Sequence, residues 1–528
     1  MKTALSPVFA QRLAYLVDAN AHSILTSGLK GIEKESLRID QKGQIAQTNH
    51  PKALGSALTH PYITTDYSEA LIELITPPFS DIQQTLHFLT DIHQFVYQNL
   101  SNEWLLGCSM PCGIEGDHSV RIAEYGSSNI GKMKHIYRRG LDFRYGRTMQ
   151  AIAGVHFNYS IPETLWSILY QHSEKNIDLQ SFIANHYFAM IRNFQRQGWL
   201  ILYLFGASPV VCKAFFHSRP ELMQQFHSLD QCSLYLPYAT SLRMSDIGYK
   251  STQQAQLQIN YNHLQGYIHS LTTAMNTPYL PYQSIGVKIN GEYKQLNANL
   301  LQIENEFYNT IRPKQLTHSG EKPTLALKKR GVAYVEIRSL DLDISSPIGI
   351  HESTARFIEL FLLGCLLEDS PLQNDNEQQI NNLNQLAVAN YGRQPDLNLI
   401  RNGESMSLKS WANLILEQLQ PLAELLDSQS ALPYYQQTLQ LQQQLVDNSE
   451  LTPSAQLLSQ LTQNPHCLDQ FSLQISQHHA ASFSQNLSVE TQHYFQQLAQ
   501  KSLQQQQQLE SETQEDFDTF LQRYFTQV

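Results

Sequence analysis

Four short segments of the chain carry acidic or metal-binding side chains at alternate positions. The pairs are Glu33 with Glu35, His156 with Asn158, Glu304 with Glu306, and Glu336 with Arg338. Successive side chains of a β-strand point to opposite faces, so both members of each pair would share one face. Carboxylates gathered in one site repel each other and raise each other's pKa unless cations neutralise them. The spacing therefore predicts a site for divalent metals, and with it phosphate chemistry.

The apolar residues that flank these pairs indicate a sheet that positions them. They are Ile32, Val155, Phe157, Ile303, Val335 and Ile337. On the same alternation, these side chains would all lie on the opposite face from the carboxylates. We therefore expect a sheet that buries its apolar face in a core and presents its acidic face to a site.

The segment 64–77 supplies two further candidate ligands and fits two structures. As a helix it would place Asp66, Glu69 and Glu73 on one face. Its isoleucine and threonine content and its terminal proline favour a strand from about Ser68, with Glu69 and Glu73 on one face. In either structure Glu73 lies among apolar residues, where an unpaired carboxylate is costly. It is therefore either paired with an arginine or bound to a metal.

The segment 126–133 is similar to a phosphate-binding loop, but we reject that interpretation. Met133 stands where the loop needs a hydroxyl to bind magnesium, and the preceding 121–125 is too polar for a buried strand. The segment leads into the most basic stretch of the chain, which contains Lys132, Lys134, Tyr137, Arg138, Arg139 and Arg144. This stretch is either a solvated helix face or a group of cations that holds a polyphosphate or a substrate carboxylate.

His156 and the Glu336–Arg338 pair indicate which metal and which substrate group the site would bind. Mg²⁺ prefers oxygen ligands, whereas the imidazole of His156 also suits Mn²⁺, so Mg²⁺ is expected and Mn²⁺ is the alternative. Glu336 and Arg338 form either a structural ion pair or a functional one. In the functional case Glu336 binds metal and Arg338 holds a substrate carboxylate in a bidentate fork.

Composition excludes several classes of protein. The 528 residues carry a net charge of −11 without a basic tract, which argues against a nucleic-acid partner. The longest uncharged stretch, 197–212, is too short to span a membrane, and 1–25 predicts an amphipathic helix rather than a signal peptide. The six cysteines form no CxxC pair and predict reduced core thiols. We expect a cytoplasmic, monomeric protein without a membrane partner.

The amino-acid composition and the predicted elements of the chain change after about residue 370. Residues 1–370 mix strand-like and helix-like segments, and we expect them to form an α+β catalytic domain. Residues 371–528 are rich in Gln, Asn and Leu and predict a helical region packed on that domain. Helices are expected over Tyr434–Val446 and Phe495–Phe517, with the glutamine run 504–508 on a solvated helix face.

These segments together resemble the glutamate–cysteine ligases, in the bacterial branch common in gamma-proteobacteria, over roughly residues 25–365. The blocks that carry the resemblance are 31–38, 53–60, 63–66, 109–112, 154–158, 204–209, 238–243 and 301–306. It implies an ATP-dependent enzyme that converts L-glutamate to γ-glutamyl phosphate, from which the cysteine amine displaces phosphate to give γ-glutamylcysteine. This is the first step of glutathione biosynthesis. The implied fold is similar to glutamine synthetase, with a curved antiparallel sheet that forms an active-site funnel and is flanked by helices.

The resemblance also implies residue roles. The implied metal ligands are Glu33, Glu35, Asp66, Glu73, His156 and Glu336. Arg338 matches the residue near the glutamate and the transferred phosphoryl group, and with Glu336 it is the implied catalytic pair. The implied substrate-binding residues are Tyr67, Tyr137, Arg138, Arg243, Tyr249, Tyr308 and Arg338, with Arg243 suited to the cysteine carboxylate. Tyr67 stands where we expect phenylalanine in better-known members, and no adenine-binding residue is implied.

Three other functions are compatible with an acidic metal site. A related carboxylate–amine ligase would accept a different amine. A metal- or nucleotide-binding regulator would bind Mg-ATP without amino-acid-dependent ADP release, and a metal-dependent hydrolase would need water but no ATP. Phosphoryl transfer asks mainly for alignment and charge neutralisation, which the acids and Arg338 suit.

Overall fold

A seven-stranded antiparallel sheet lies at the centre of the fold. The computed structural model describes residues 6–173, 176–248, 257–463 and 467–527. The strands are β1 (Leu29–Asp40), β2 (Ile63–Thr65), β3 (Leu71–Ile75), β4 (Glu103–Leu105), β5 (Val155–Ser160), β6 (Val210–Cys212), β7 (His227–Ser228), β8 (Ser233–Tyr235), β9 (Lys288–Ile289), β10 (Glu292–Tyr293), β11 (Ile311–Lys314), β12 (Tyr334–Leu340), β13 (Asn398–Arg401) and β14 (Glu404–Ser407).

The order of strands in the main sheet brings distant segments side by side. It is β11-β12-β5-β1-β3-β2, and β4 pairs with the end of β1. The register places Glu33 opposite His156, Glu35 opposite Glu73, and Glu336 opposite Asn158. Residues directly opposite each other in an antiparallel pair lie on the same face. The predicted acidic face is therefore present, and three of the four predicted pairs contribute to it.

The other face of the sheet is buried, as the alternation predicts. Ile32, Val155, Phe157, Val335 and Ile337 are all fully buried. Their strands are rich in β-branched and aromatic residues, which suit a pleated surface packed against helices. The expected α+β class, with an antiparallel sheet flanked by helices, is confirmed.

Helices cover this apolar face and form the rest of the molecule. They are α1 (Pro7–Asp18), α2 (His22–Leu25), α3 (Ile82–Asn99), α4 (Asn129–Tyr145), α5 (Glu163–Gln171), α6 (Leu179–Gln197), α7 (Trp199–Phe205), α8 (Leu264–Asn276), α9 (Leu280–Ile285), α10 (Pro323–Arg330), α11 (Glu352–Leu367), α12 (Asp375–Tyr391), α13 (Leu408–Asp427), α14 (Tyr434–Asp447), α15 (Pro453–Gln463), α16 (Leu468–Ser482), α17 (Val489–Ser511) and α18 (Phe517–Phe525). Helices α3, α6 and α7 contact the sheet, α11 packs on α3 and α6, and α13 and α14 pack on α11.

The prediction of a strand over residues 301–307 is wrong. Residues Glu304–Glu306 form a 3₁₀ turn. The Glu306 carboxylate accepts a hydrogen bond from the backbone N–H of Gln302 and pairs with Arg144 at 2.8 Å. Glu304 accepts a hydrogen bond from the hydroxyl of Thr324. Local side-chain bonds to the backbone compete with strand pairing, so these two acids stabilise a turn.

The strand predicted from about Ser68 begins later, at Leu71. The Ser68 hydroxyl accepts a hydrogen bond from the backbone N–H of Leu71, which closes a turn between β2 and β3. Glu69 lies in that turn and accepts hydrogen bonds from backbone N–H groups of His50 and Glu124. It therefore does not share a face with Glu73, which does lie on the strand.

The C-terminal part of the chain is helical apart from the β13–β14 hairpin. The helix predicted over Tyr434–Val446 is α14, and the glutamine run lies on the mostly exposed surface of α17. The single helix predicted over Phe495–Phe517 is wrong in its bounds. α17 ends at Ser511, and a separate helix, α18, begins after its N-cap residue Asp516. The boundary proposed at residue 370 stays a prediction, and the main buried cluster contains residues from both sides of it.

The uncharged stretch 197–212 contains the fully buried α7, so the prediction of a core element is confirmed. None of the described helices is both long and apolar enough to cross a membrane.

The cysteines form no disulfide, but the prediction of core thiols fails for two of them. Cys232 is exposed and Cys467 is half-buried.

Candidate active site

A cavity of about 570 Å³ lies on the acidic face of the main sheet. Most of the predicted site residues line it. They are Glu33, Asp66, Tyr67, Glu73, Tyr137, Arg138, His156, Tyr308, Glu336 and Arg338. The segments that carry them are far apart in sequence. Those on β1, β3, β5 and β12 meet because the strand order makes these strands neighbours.

Glu33, Glu73 and His156 form a cluster that fits a divalent cation. Each offers one ligand atom, and these atoms lie within 4.8 Å of one another. Nδ1 of His156 is 3.1 Å from Glu33 Oε2, whereas the buried Nε2 makes no hydrogen bond to any described residue. Burial, followed by the charges of Glu33, Asp66 and Glu35, raises the pKa of Glu73 well above its usual value. A bound cation would relieve this repulsion, so the donor set suits a hard divalent metal.

Beside this cluster, Glu336 lies among cations. Its carboxylate is 3.2 Å from Nη1 of Arg338 and 3.3 Å from Nζ of Lys314. Burial alone would raise the pKa of Glu336, but Lys314, Arg338, His156 and Arg312 together hold it well below its usual value. Glu336 is therefore ionised, as a metal ligand must be.

Helix α4 brings part of the basic stretch to the cavity. Ser128 is its N-cap, and no strand leads into it, which agrees with our rejection of a phosphate-binding loop. Lys134, Tyr137 and Arg138 lie at i, i+3 and i+4 and line the cavity. Burial, and then the charge of Arg138, lowers the pKa of Lys134 to about 8. The other cations of the stretch do not reach the cavity, and Arg144 is used in the buried pair with Glu306.

Two predicted residues lie behind the cavity wall. Glu35 accepts a hydrogen bond from the backbone N–H of Gly154 at 2.8 Å, and its Oε1 is 3.8 Å from Nε2 of His156. Burial and then Asp66 raise its pKa to about 8. Arg243 is buried against Gly154, where an added Cβ would lie 2.2 Å from Nη2 of the guanidinium. Tyr249 lies outside the described residues.

The tyrosines form one side of the cavity. The Tyr308 hydroxyl donates a hydrogen bond to Gln150 Oε1 at 2.8 Å. The Tyr67 hydroxyl is buried and makes no hydrogen bond to any described residue, although Gln150 and Tyr137 line the same cavity. An apolar wall with a few polar groups suits recognition of a small amino acid.

Several cavity residues were missed by sequence reasoning. Arg312 and Lys314 alternate along β11 and face Glu336, but the Pro313 between them is atypical of a strand. β11 is an edge strand, where proline is tolerated. A second group, Ile130, Met133, Pro323, Leu509 and Tyr524, forms an apolar end of the cavity. Two of these come from α17 and α18, and no local motif marks them.

A family model described as glutamate-cysteine ligase matches residues 13–388. A Pseudomonas putida protein named glutamate–cysteine ligase is 48% identical over 521 residues, which cover 98% of each chain. The chain belongs to the glutamate–cysteine ligase family. A Pseudomonas aeruginosa protein, also named glutamate–cysteine ligase, is 48% identical over 521 residues, which cover 98% of each chain.

Solved structures agree with this family assignment. A glutamate–cysteine ligase from Francisella tularensis, solved in complex with AMP, is 35% identical with a TM-score of 0.89. The match covers 94% of this chain and 97% of that one. A bifunctional glutathione synthetase from Pasteurella multocida shares the fold, with 23% identity and a TM-score of 0.72 over 92% of this chain and 58% of its own. The resemblance and the ligase class that the sequence indicated are confirmed, and a ligase for a different amine is not favoured.

Proposed function

We propose that this protein joins the γ-carboxylate of L-glutamate to the amine of L-cysteine at the expense of ATP. The products are γ-glutamylcysteine, ADP and phosphate, and the reaction is the first step of glutathione biosynthesis. The observation that carries the proposal is the convergence of Glu33, Glu73, His156 and the Glu336–Arg338 pair in one cavity of a glutamate–cysteine ligase family member. The AMP in the Francisella tularensis structure supports an adenine nucleotide as a substrate.

The residues that would hold metal are Glu33, Glu73, His156 and Glu336, with Asp66 at the cavity wall and Glu35 behind it. Bound Mg²⁺, or Mn²⁺ in its place, would neutralise the phosphate oxygens of the nucleotide and align its terminal phosphate. Glu35 keeps its place through the hydrogen bond from the backbone of Gly154, and its carboxyl adjoins Nε2 of His156. At 3.8 Å this approach is too long for a hydrogen bond, so the contact that orients the imidazole is the one between its Nδ1 and Glu33.

Cations of the chain act on the transferred phosphoryl group and on the glutamate. Arg338 is held by Glu336 and lies 3.5 Å from His156 Nδ1, so its guanidinium is positioned at the centre of the site. There it binds the γ-carboxylate region and stabilises the negative charge that develops when the amine attacks. Lys134, Arg138 and Lys314 line the same cavity and offset the charge of the phosphates.

Cysteine would bind on the side of the cavity formed by Tyr67, Tyr137 and Tyr308. Their rings give the thiol a largely apolar surface, and Arg243 is the proposed partner of the cysteine carboxylate. Arg243 is buried against Gly154 and does not line the cavity in this structure, so contact with a substrate carboxylate requires a local rearrangement. We also propose that the enzyme acts as a monomer. We also place the activity in the cytoplasm, because six unpaired cysteines suit a reducing compartment.

The assay that tests this function follows ADP release with glutamate, ATP and Mg²⁺, and adds one amine at a time. We expect ADP and γ-glutamylcysteine in equal amounts with L-cysteine, and much less ADP with L-serine or L-alanine. A stronger response to another amine would indicate the related ligase. ADP release that needs neither amino acid would refute the proposal.

A further inference from the structure

Two thiols and a carboxylate come together outside the cavity, where β6 meets α16. Sγ of Cys212 lies 2.9 Å from Oδ1 of Asp469, to which its thiol donates, and 3.2 Å from Sγ of Cys112. The three ligand atoms are within 4.8 Å of one another. Cys112 and Cys212 are each only 1% exposed, whereas Asp469 is half-buried. The group therefore has a packed interior and one side open to solvent.

These spacings are close to those of a tetrahedral zinc site. With bonds of about 2.3 Å to sulfur and about 2.0 Å to oxygen, Zn²⁺ would hold two sulfurs about 3.7 Å apart and a sulfur and an oxygen about 3.5 Å apart. The observed distances are shorter by about half an ångström. Such a change is within reach of side-chain rotation. A disulfide, in contrast, would need the sulfurs to approach to about 2.0 Å.

The charges around the group also favour a cation. Asp469 places a carboxylate oxygen 2.9 Å from Sγ of Cys212, and cysteine sulfur together with carboxylate oxygen is a ligand combination that suits Zn²⁺. A divalent cation would displace one proton from each of the two thiols and leave two thiolates and one carboxylate bound to it.

The surroundings support such a site. The backbone N–H of Gly113 donates to Asp469 Oδ1 at 3.3 Å, which orients the carboxylate. The Ser472 hydroxyl lies 3.3 Å from Sγ of Cys112 and could occupy a fourth position, as could water. Val210, Leu457, Leu468 and Phe471 belong to the buried apolar cluster around the sulfurs. This apolar packing limits the access of water to the two sulfurs, whereas Asp469 is half-buried.

We propose that Cys112, Cys212 and Asp469 form a binding site for a thiophilic divalent cation, with Zn²⁺ as the best-fitting ion. The three ligands come from the loop after β4, the end of β6 and the first turn of α16. The cation therefore attaches the C-terminal helices to the part of the chain that carries the cavity. The same loop contacts the segment that leads into β5, because the backbone carbonyl of Ser109 accepts a hydrogen bond from the backbone N–H of Ala153. The site is independent of the proposed ligase reaction.

The test is cobalt substitution of the full-length protein after chelation. Co²⁺ bound to thiolates gives an intense charge-transfer band, whereas a carboxylate–histidine site gives none, so the two metal sites are distinguished. We expect about one thiolate-bound Co²⁺ per chain, displaced by Zn²⁺, in the wild type and in the control Cys365→Ser. Cys365 is also buried but lies in α11, outside the group. Cys212→Ser should abolish the band, and Asp469→Asn should weaken Co²⁺ binding at least tenfold.

Two outcomes would overturn the proposal. One is a wild-type protein without a thiolate band, and the other is a band that Cys212→Ser leaves unchanged. Circular dichroism establishes that each variant is folded. Asp469→Asn keeps the test decisive if the serine variant does not fold, since unchanged Co²⁺ affinity in that variant also refutes the site. Titration of the denatured protein should find six free thiols, and an oxidised Cys112–Cys212 pair would indicate a disulfide instead.

Discussion

Replacing Glu336 with glutamine removes one charge from the centre of the site without changing the size of the side chain. The carboxylate is only 1% exposed and has Arg338 and Lys314 within 3.3 Å. The amide neither binds a metal well nor offsets these cations. Loss of one metal-holding carboxylate should forfeit several kcal/mol of transition-state stabilisation. At about 4 kcal/mol, kcat/KM falls by about a thousandfold.

The assay is steady-state ADP release with saturating ATP and Mg²⁺ and varied glutamate and cysteine. The matched control is Glu359→Gln. Glu359 is also 1% exposed and pairs with Lys30 at 2.6 Å, but it lies on the apolar side of the sheet. We expect the control to lower the melting temperature and to keep kcat within a few-fold of wild type. A Glu336→Gln enzyme within tenfold of wild type would refute our account of this residue.

Three further predictions test other parts of the account. Arg243→Ala should raise the KM for cysteine at least tenfold more than the KM for glutamate, because its guanidinium is the proposed partner of the cysteine carboxylate; equal effects would contradict that pocket. EDTA should abolish ADP release, and Mg²⁺ or Mn²⁺ should restore it, because repelling carboxylates need a cation; full activity after chelation would contradict the metal site. Lowering the pH from about 6.5 to about 4 should decrease the free energy of unfolding. Burial lowers the pKa of His186 to about 4 in the folded protein, whereas the unfolded chain binds this proton near pH 6.5. His186→Gln should remove about 3 kcal/mol of that decrease, as measured by urea titration. The control His87→Gln should not change the decrease, because the side chain of His87 is 79% exposed.

The acidic face of the sheet could be predicted because it depends on a local period. Glu33, His156 and Glu336 each alternate with buried apolar residues, and alternation over a few residues decides which face a side chain takes. The pairing of their strands then brings them together. The face that each side chain takes could thus be predicted without knowledge of distant contacts, whereas the convergence of these side chains depends on the strand order.

The same pattern failed at Glu304 and Glu306, because it does not reveal the partners of a carboxylate. Arg144 and Thr324, distant in the chain, satisfy these acids in a turn. Conversely, Pro313 concealed an edge strand that carries two cations into the cavity. The apolar end of the cavity depends on helices α17 and α18 folding back over it, and only tertiary structure determines that.

The proposed mechanism requires Glu33, Glu73, His156 and Glu336 to hold divalent ions jointly over the terminal phosphate of a nucleotide. The most direct measurement is anomalous diffraction from crystals grown with Mn²⁺ and a non-hydrolysable ATP analogue. We predict manganese peaks about 2.1–2.3 Å from carboxylate oxygens of Glu33, Glu73 and Glu336. Nucleotide bound in this cavity with no manganese near these carboxylates, or manganese only elsewhere on the protein, would contradict the claim.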